Sequence, residues 1–180
     1  AGPAGLMAAL VADRRGHSVV LFEKDAQIGG QLNMARVIPG KEEFHGLVDW
    51  FAASLAASNV DLRLNATADA QTLAGFDEVI VATGVTPRDP GIPGQEGANV
   101  LSYIDVLRDK SPVGARVAVV GAGGIGFDVA EYVTHQGVSP TLDLAEWQRE
   151  WGVGDPSDVP GGLLEPAPPA PARAVTLLQR

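Results

Sequence analysis

Two glycine-rich turns constrain the fold of this chain more than any other feature of its sequence. The more complete turn lies in the stretch VAVVGAGGIGFDVAE, residues 117–131, where Gly121, Gly123 and Gly126 follow an apolar run and precede a helical pattern. Glycines at this spacing permit a tight strand-to-helix turn and let a pyrophosphate approach the free N–H groups of the helix N-terminus. The stretch therefore predicts a strand, a phosphate-binding turn and a helix, in that order.

A second turn of this kind opens the chain as AGPAGL, where Gly2 and Gly5 match the second and third glycines of the pattern. The first glycine and the strand before it would precede the first residue, so we expect the sequence to be a fragment. A helix over residues 5–15 and a buried strand over 18–22 follow, and Glu23 ends that strand. An acid there can accept hydrogen bonds from both ribose hydroxyls of an adenosine. The alternative is a helix-capping turn with a surface glutamate.

Two such turns in one chain indicate two dinucleotides, of which FAD with a nicotinamide nucleotide is the commonest pair. The last strand ends in Gln179-Arg180. Arg180 can pair with the 2′-phosphate of NADPH, whereas an acid at that position would suit NADH. The pattern therefore favours NADPH, and the alternative is an ordinary surface arginine.

The remaining pattern predicts an α/β fold of two nested Rossmann-like dinucleotide-binding units, truncated at both ends, with the second inserted into the first. We expect the FAD unit over residues 1–112 and the NADPH unit over 113–180, the latter interrupted by a Pro/Gly-rich insert at 138–172. Predicted helices cover residues 41–58, 102–110, 127–135 and 144–151, and predicted strands cover 60–64, 76–82, 116–120 and 174–180. The strand over residues 76–82 is predicted to be buried.

Composition excludes several kinds of protein. The 180 residues include 13 Lys+Arg against 22 Asp+Glu, a net charge of −9, which argues against a nucleic-acid surface. Gly, Pro or charged residues interrupt every apolar stretch before it reaches the ~18–20 residues of a membrane span. The sequence has no cysteine, which excludes thiol catalysis and an all-cysteine iron–sulfur site within these residues.

The motifs together resemble the flavin- and pyridine-nucleotide-binding part of the bacterial NADPH-dependent 2,4-dienoyl-CoA reductase family, which is related to NADH:flavin oxidoreductases and old yellow enzyme. The resemblance runs through the segments AGPAGL, GHSVVLFEK, IGGQLNMARVIPGKEEF, VIVATGVTPR and VAVVGAGGIGFDVA. It continues into the insert, at Glu150-Trp-Gly152 and Gly161-Gly162-Leu163. These insert motifs distinguish it from trimethylamine dehydrogenase and the glutamate synthase small subunit.

The resemblance implies which residues contact each cofactor. For NADPH these are Arg180 and the turn residues Gly121, Gly123, Gly124, Ile125 and Gly126. For FAD they are Gly2, Ala4, Gly5, Glu23, Gln31, Lys41, Ala68, Ala82, Thr83 and Gly84. Ala68 departs from the family, which tends to have a β-branched residue there, but a backbone contact to the adenine would survive the change. Gln31 and Lys41 have simpler readings as a polar loop residue and a helix-start lysine.

The resemblance also implies a larger, cytoplasmic enzyme of unsaturated fatty acid β-oxidation. A preceding (β/α)8 barrel would hold FMN and the dienoyl-CoA, and a [4Fe–4S] cluster would relay electrons from FAD. This chain would supply the first stage of that relay, without catalytic side chains or a metal site, and would be inactive alone. Two alternatives stay open: a related flavin oxidoreductase or amine dehydrogenase with another substrate, and a non-catalytic nucleotide-binding assembly module.

Other side chains suggest structural roles. His17, His45 and His135 are scattered without the spacing of metal ligands. Trp147 and Trp151 lie four positions apart on a predicted helix and should pack together. Stacking of either ring on a nicotinamide is the less favoured reading.

Overall fold

A computed structural model describes residues 1–179 and shows an α/β fold divided into two compact units. Unit 1 comprises Ala1–Arg36 and Glu43–Gly97, and unit 2 comprises Val37–Glu42 and the chain from Ala98 onward. The helices are α1 (Pro3–Arg14), α2 (Leu32–Ala35), α3 (Glu43–Ala56), α4 (Ala70–Leu73), α5 (Tyr103–Leu107), α6 (Gly124–Thr134) and α7 (Leu144–Trp151). The strands are β1 (Val20–Phe22), β2 (Asp61–Arg63), β3 (Arg116–Val120) and β4 (Ala174–Leu178). The predicted boundary between residues 112 and 113 stays a prediction.

Unit 1 is built on two helices packed against a short parallel sheet. Strands β1 and β2 pair in parallel, with Leu21 opposite Leu62. Leu6 and Leu10 of α1 pack with Phe51 and Leu55 of α3, and all four are buried. Their i, i+4 spacing places each pair on one face of its helix.

The predicted buried strand over residues 76–82 is wrong. The segment has no strand assignment, and the side chains of Ile80 and Val81 are 70% and 78% exposed. Apolar and β-branched residues favour a strand, but a strand also needs a hydrogen-bonding neighbour. Among residues 1–179, the sheet of unit 1 contains only β1 and β2, so this segment has no paired neighbour.

Unit 2 contains the second strand–turn–helix arrangement. Strands β3 and β4 pair in parallel over five residues, from Arg116 opposite Ala174 to Val120 opposite Leu178. Helix α6 packs on both strands and on α5, and it buries Val129 and Val133. It begins at Gly124, three residues before the predicted start, so the glycine turn leads directly into its first turn.

The insert between α6 and β4 folds into a small structure of its own. Helix α7 covers the predicted residues, and Asp143 caps its N-terminus, with its Oδ1 accepting from the N–H of Ala145 at 3.0 Å. It ends at Gly152, which has a positive φ of 66°. The rings of Trp147 and Trp151 lie 6.4 Å apart between centroids, which confirms the predicted packing.

Within residues 1–179, no helix combines the length and apolar character that crossing a bilayer requires. The same residues contain no group of three or more His, Cys, Asp or Glu side chains arranged to hold a metal ion.

Candidate functional site: two glycine turns at helix N-termini

The first glycine turn lies at the N-terminus of α1 in unit 1. Gly2 is the N-cap residue, and no side chain caps the helix. Gly30 has a positive φ of 52°, and a Cβ at this position would lie 2.8 Å from the Cα of Gly2. Glycine at position 30 therefore lets a neighbouring loop lie against the turn. The free N–H groups of α1 remain available to an anion.

Glu23 follows β1 beside this turn, as the sequence predicts, and only 8% of its surface is exposed. Its Oε1 accepts from the backbone N–H of Asp25 at 2.9 Å, and its Oε2 accepts from the amine of Ala1. Burial raises the pKa of the Glu23 carboxyl, but these hydrogen bonds outweigh it and leave the pKa below its usual value. The side chain is thus a carboxylate at neutral pH, with further lone pairs for hydroxyl donors.

Two more segments meet this turn in unit 1. The N–H of Ala66 donates to the carbonyl of Glu23 at 2.9 Å, which brings the chain leading to Ala68 alongside. A Cβ on Gly5 would lie 3.4 Å from the Cβ of Ala82, so Ala82 lies against the start of α1. The other unit 1 residues with predicted FAD roles are exposed: Ala4, Gln31, Thr83 and Gly84. Their contacts with FAD stay predictions.

Lys41 lies in unit 2, unlike the other residues predicted to contact FAD. Its Nζ binds Oδ1 of Asp128 on α6 at 2.6 Å, with the two side chains 38% and 28% exposed. The rest of the 37–42 segment is also held within unit 2. Thr141 donates to Oε2 of Glu42 at 2.8 Å, and the N–H of Gly40 donates to Oγ of Ser139 at 3.3 Å.

We expect Lys41→Met and Asp128→Asn each to lower the free energy of unfolding by up to about 1 kcal/mol, because the pair is partly solvent-screened. The double variant should lose little more than either single variant, since both remove the same interaction. Chemical denaturation of the three variants measures this coupling. If Lys41 contacts FAD as predicted, Lys41→Met should bind FAD more weakly than Asp128→Asn does. Equal FAD binding by the two variants would exclude that contact.

The second glycine turn connects β3 to α6 in unit 2. The N–H of Gly121 donates to the carbonyl of Leu178 at 2.9 Å, which closes the pairing of β3 with β4. A Cβ on Gly126 would lie 1.8 Å from the carbonyl oxygen of Gly121, so no side chain fits there. By contrast, a Cβ on Gly123 or Gly124 would meet nothing within 4 Å. The turn is therefore tight against the protein at Gly126 and open at Gly123 and Gly124.

Gln179 contacts this turn, although no motif in the sequence predicts a role for it. Its Oε1 accepts from the N–H of Ala122 at 3.1 Å. The signal for it is positional, because parallel strands end at the same edge and a side chain just after β4 reaches the turn after β3. Arg180, the predicted NADPH residue, lies outside the described residues. The N-cap Gly123 has no side-chain cap, so the N–H groups of α6 remain available to an anion.

Comparison with known proteins identifies the family behind this arrangement. Residues 1–149 match the family described as pyridine nucleotide-disulphide oxidoreductase. The chain belongs to this family. The family implies FAD and a pyridine nucleotide as cofactors and an oxidoreductase as the class of protein. It also confirms the predicted α/β nucleotide-binding fold.

Several relatives of this chain are described as oxidases or reductases. An NADH oxidase from Thermoanaerobacter brockii is 41% identical over 78% of the chain and 23% of the relative. A multifunctional alkene reductase/demethylase OYE from Caballeronia cordobensis is 36% identical over 86% of the chain and 24% of the relative. A 2-naphthoyl-CoA reductase structure matches with a TM-score of 0.71 and 31% identity, over 74% of the chain and 20% of that protein. The chain thus spans about a quarter or less of these proteins.

Proposed function

We propose that this chain binds FAD at the turn in unit 1 and NADPH at the turn in unit 2, and serves hydride transfer from NADPH to FAD. The observation that carries the proposal is the repeated arrangement of a glycine turn at a helix N-terminus without a side-chain cap. Such a terminus attracts the negative charge of a pyrophosphate. A turn serving only to reverse the chain would not need its N–H groups left open.

The residues of both turns are compatible with these cofactors. In unit 1, Glu23 is a buried carboxylate that can accept from ribose hydroxyls. In unit 2, the absence of neighbours around Gly123 and Gly124 leaves room for a pyrophosphate against the backbone. Bound FAD supplies the capacity to accept two electrons from a nicotinamide and release them singly. The chain's own residues bind the two nucleotides and orient them for hydride transfer, without a role in proton transfer.

Arg180 is our basis for proposing NADPH over NADH. We expect Arg180→Glu to weaken NADPH binding about 10- to 100-fold, because it replaces a charge-assisted hydrogen bond with repulsion, and to change NADH binding little. Arg116→Glu, at the opposite end of the β3–β4 pair, makes the same charge change and should leave both affinities unaltered. Titration of each variant with both nucleotides measures this. Equal losses for NADPH and NADH would exclude a 2′-phosphate contact.

We further propose that the chain is the electron-entry part of a larger cytoplasmic reductase acting on 2,4-dienoyl-CoA. The sequence resemblance supports this, as does similarity to proteins described as an alkene reductase and a 2-naphthoyl-CoA reductase. Because these 180 residues contain no cysteine, the ligands of a [4Fe–4S] cluster would lie elsewhere in that protein. The resemblance implies that the FMN and substrate sites lie in a preceding barrel.

Steady-state oxidation of NADPH by the full-length protein tests the substrate. We expect oxidation to depend on added 2,4-dienoyl-CoA, with no comparable rate for the matched saturated acyl-CoA. A secondary or tertiary amine as electron donor distinguishes the amine dehydrogenase alternative. Reduction of the protein by the amine, together with inactivity toward the dienoyl-CoA, would reject the dienoyl-CoA proposal while leaving the nucleotide sites untouched.

A further inference from the structure

Unit 2 contains a pocket of about 430 Å³ away from its glycine turn. Three basic residues line the pocket: Lys110, His135 and Arg173. Lys110 precedes β3, Arg173 directly precedes β4, and His135 directly follows α6. These positions lie at the amino ends of the two strands, whereas the glycine turn lies at their carboxyl ends. The five residues of β3 separate the two ends by about 16 Å at ~3.3 Å per residue.

The charge of this pocket is opposite to that of the chain. The chain has a net charge of −9, yet no Asp or Glu lies among the residues that line the pocket. Asp109, the acid next to Lys110 in sequence, is bound by Arg108, with Nε and Oδ1 2.6 Å apart. The basic groups of the pocket therefore have no carboxylate partner within its lining.

Lys110 and Arg173 are held in place but keep unused hydrogen-bond donors. Lys110 Nζ lies 4.8 Å from the ring centroid of Tyr132 and donates to its hydroxyl at 3.2 Å. Arg173 donates from Nε to the carbonyl of Val113 and from Nη1 to that of Val133, at 3.3 and 3.0 Å. Of the ~5 N–H donors of a guanidinium, these use two, and Nη2 has no acceptor within residues 1–179. Both cations are thus oriented by the protein and able to bind an anion.

The backbone at Lys110 supports a role for its side chain. Lys110 has a positive φ of 55°, a conformation that favours glycine and is strained for a residue with a Cβ. The turn after α5 would form more readily with glycine at this position. A lysine there keeps a cation over Tyr132 at the expense of local backbone strain.

The remaining walls of the pocket are mostly apolar. They are formed by Val37, Pro39, Val106, Pro112, Val113 and Val133. Small-molecule sites typically combine such walls with a few oriented polar groups in ~300–1,000 Å³. We propose that this pocket binds a small organic anion, a carboxylate or phosphate carried on a short apolar chain. Such a site would lie in the nicotinamide-nucleotide unit but apart from its glycine turn.

Calorimetric titration of the FAD-loaded full-length protein tests the proposal with three probes of matched chain length. Hexanoate and hexyl phosphate carry the two anionic groups, and hexanamide is an uncharged analogue of hexanoate. We expect one or both anions to bind, and hexanamide to bind at least about tenfold more weakly than the tighter-binding anion. Preference for hexanoate or hexyl phosphate identifies the carboxylate or phosphate class. Binding of hexanamide as tight as that of the better anion, or binding of no probe, would overturn the proposal.

Two substitutions at one position locate the site. Lys110→Met removes the cation and keeps an apolar stem, whereas Lys110→Gly removes it and relieves the backbone strain, so it should fold at least as well as the parent. Both should weaken anion binding at least about tenfold. Arg116→Gln removes an exposed positive charge outside the pocket and should leave binding unchanged. Unchanged binding in Lys110→Gly, or equal loss in Arg116→Gln, would show that the anion binds elsewhere.

Discussion

Gly126→Ala should destabilise unit 2 by about 3 kcal/mol or more, the upper end of what overpacking costs. The added Cβ would lie 1.8 Å from the carbonyl oxygen of Gly121 and 2.9 Å from its carbonyl carbon. The peptide planes on both sides of Gly121 are held by hydrogen bonds, from the N–H of Gly121 to Leu178 and from the N–H of Ala122 to Gln179. The carbonyl therefore cannot move far without weakening the contact between the turn and the end of β4. The glycine turn and the N-terminus of α6 should therefore lose their geometry, and NADPH binding should be lost with it.

Gly124→Ala is the matched control for this prediction. It makes the same change in the same helix turn, but its Cβ would meet nothing within 4 Å. Because alanine restricts the unfolded chain and suits a helix, we expect this variant to be neutral or stabilised by up to about 1 kcal/mol. Denaturant unfolding without nucleotide measures both variants. Similar stabilities for Gly124→Ala and Gly126→Ala would contradict the packing described for this turn.

Glu23→Gln should weaken FAD binding about 10- to 100-fold. A neutral amide accepts hydrogen bonds from ribose hydroxyls less strongly than a carboxylate, and hydrogen bonds to charged groups contribute ~1.5–3 kcal/mol. Glu23 is buried next to the start of α1, so water does not replace the lost interaction freely. Titration of apo-protein with FAD, followed by flavin fluorescence, gives the affinity.

Glu78→Gln controls for the loss of one negative charge in unit 1, since Glu78 is exposed. It should bind FAD like the parent chain. Thermal unfolding of apo-protein must accompany the comparison, because Glu23 also accepts hydrogen bonds within the protein. An FAD affinity in Glu23→Gln equal to that of Glu78→Gln would show that Glu23 does not contact the ribose.

The parts of the fold that the sequence predicts well are those specified by local pattern. The glycine turns before α1 and α6, and the helix and strand character of α3 and β2, each depend on neighbours a few positions away. The position of Glu23 just after β1 is predictable for the same reason, because a residue that ends a strand after a glycine turn is placed by those local elements.

The features of the fold that the sequence does not predict depend on contacts between distant segments. The apolar run over residues 76–82 has strand character, but whether it pairs depends on another strand lying beside it. Lys41 follows Pro39-Gly40 in sequence, yet its partner is Asp128, 87 positions away. Gln179 contacts Ala122 across 57 positions. No local spacing encodes these pairs.

Anaerobic titration of the FAD-loaded full-length protein with NADPH tests directly whether electrons pass from NADPH to FAD through these two turns. We expect stoichiometric NADPH to remove the visible absorbance of the oxidised flavin. The Gly126→Ala protein can still be loaded with FAD, because FAD binds at the turn in unit 1, but its flavin should not be reduced under the same conditions. The Gly114→Ala protein, whose added Cβ would meet nothing within 4 Å and lies outside the glycine turn, should be reduced like the parent. If NADPH left the parent flavin oxidised, or reduced Gly126→Ala as readily, electron entry through these two turns would be contradicted.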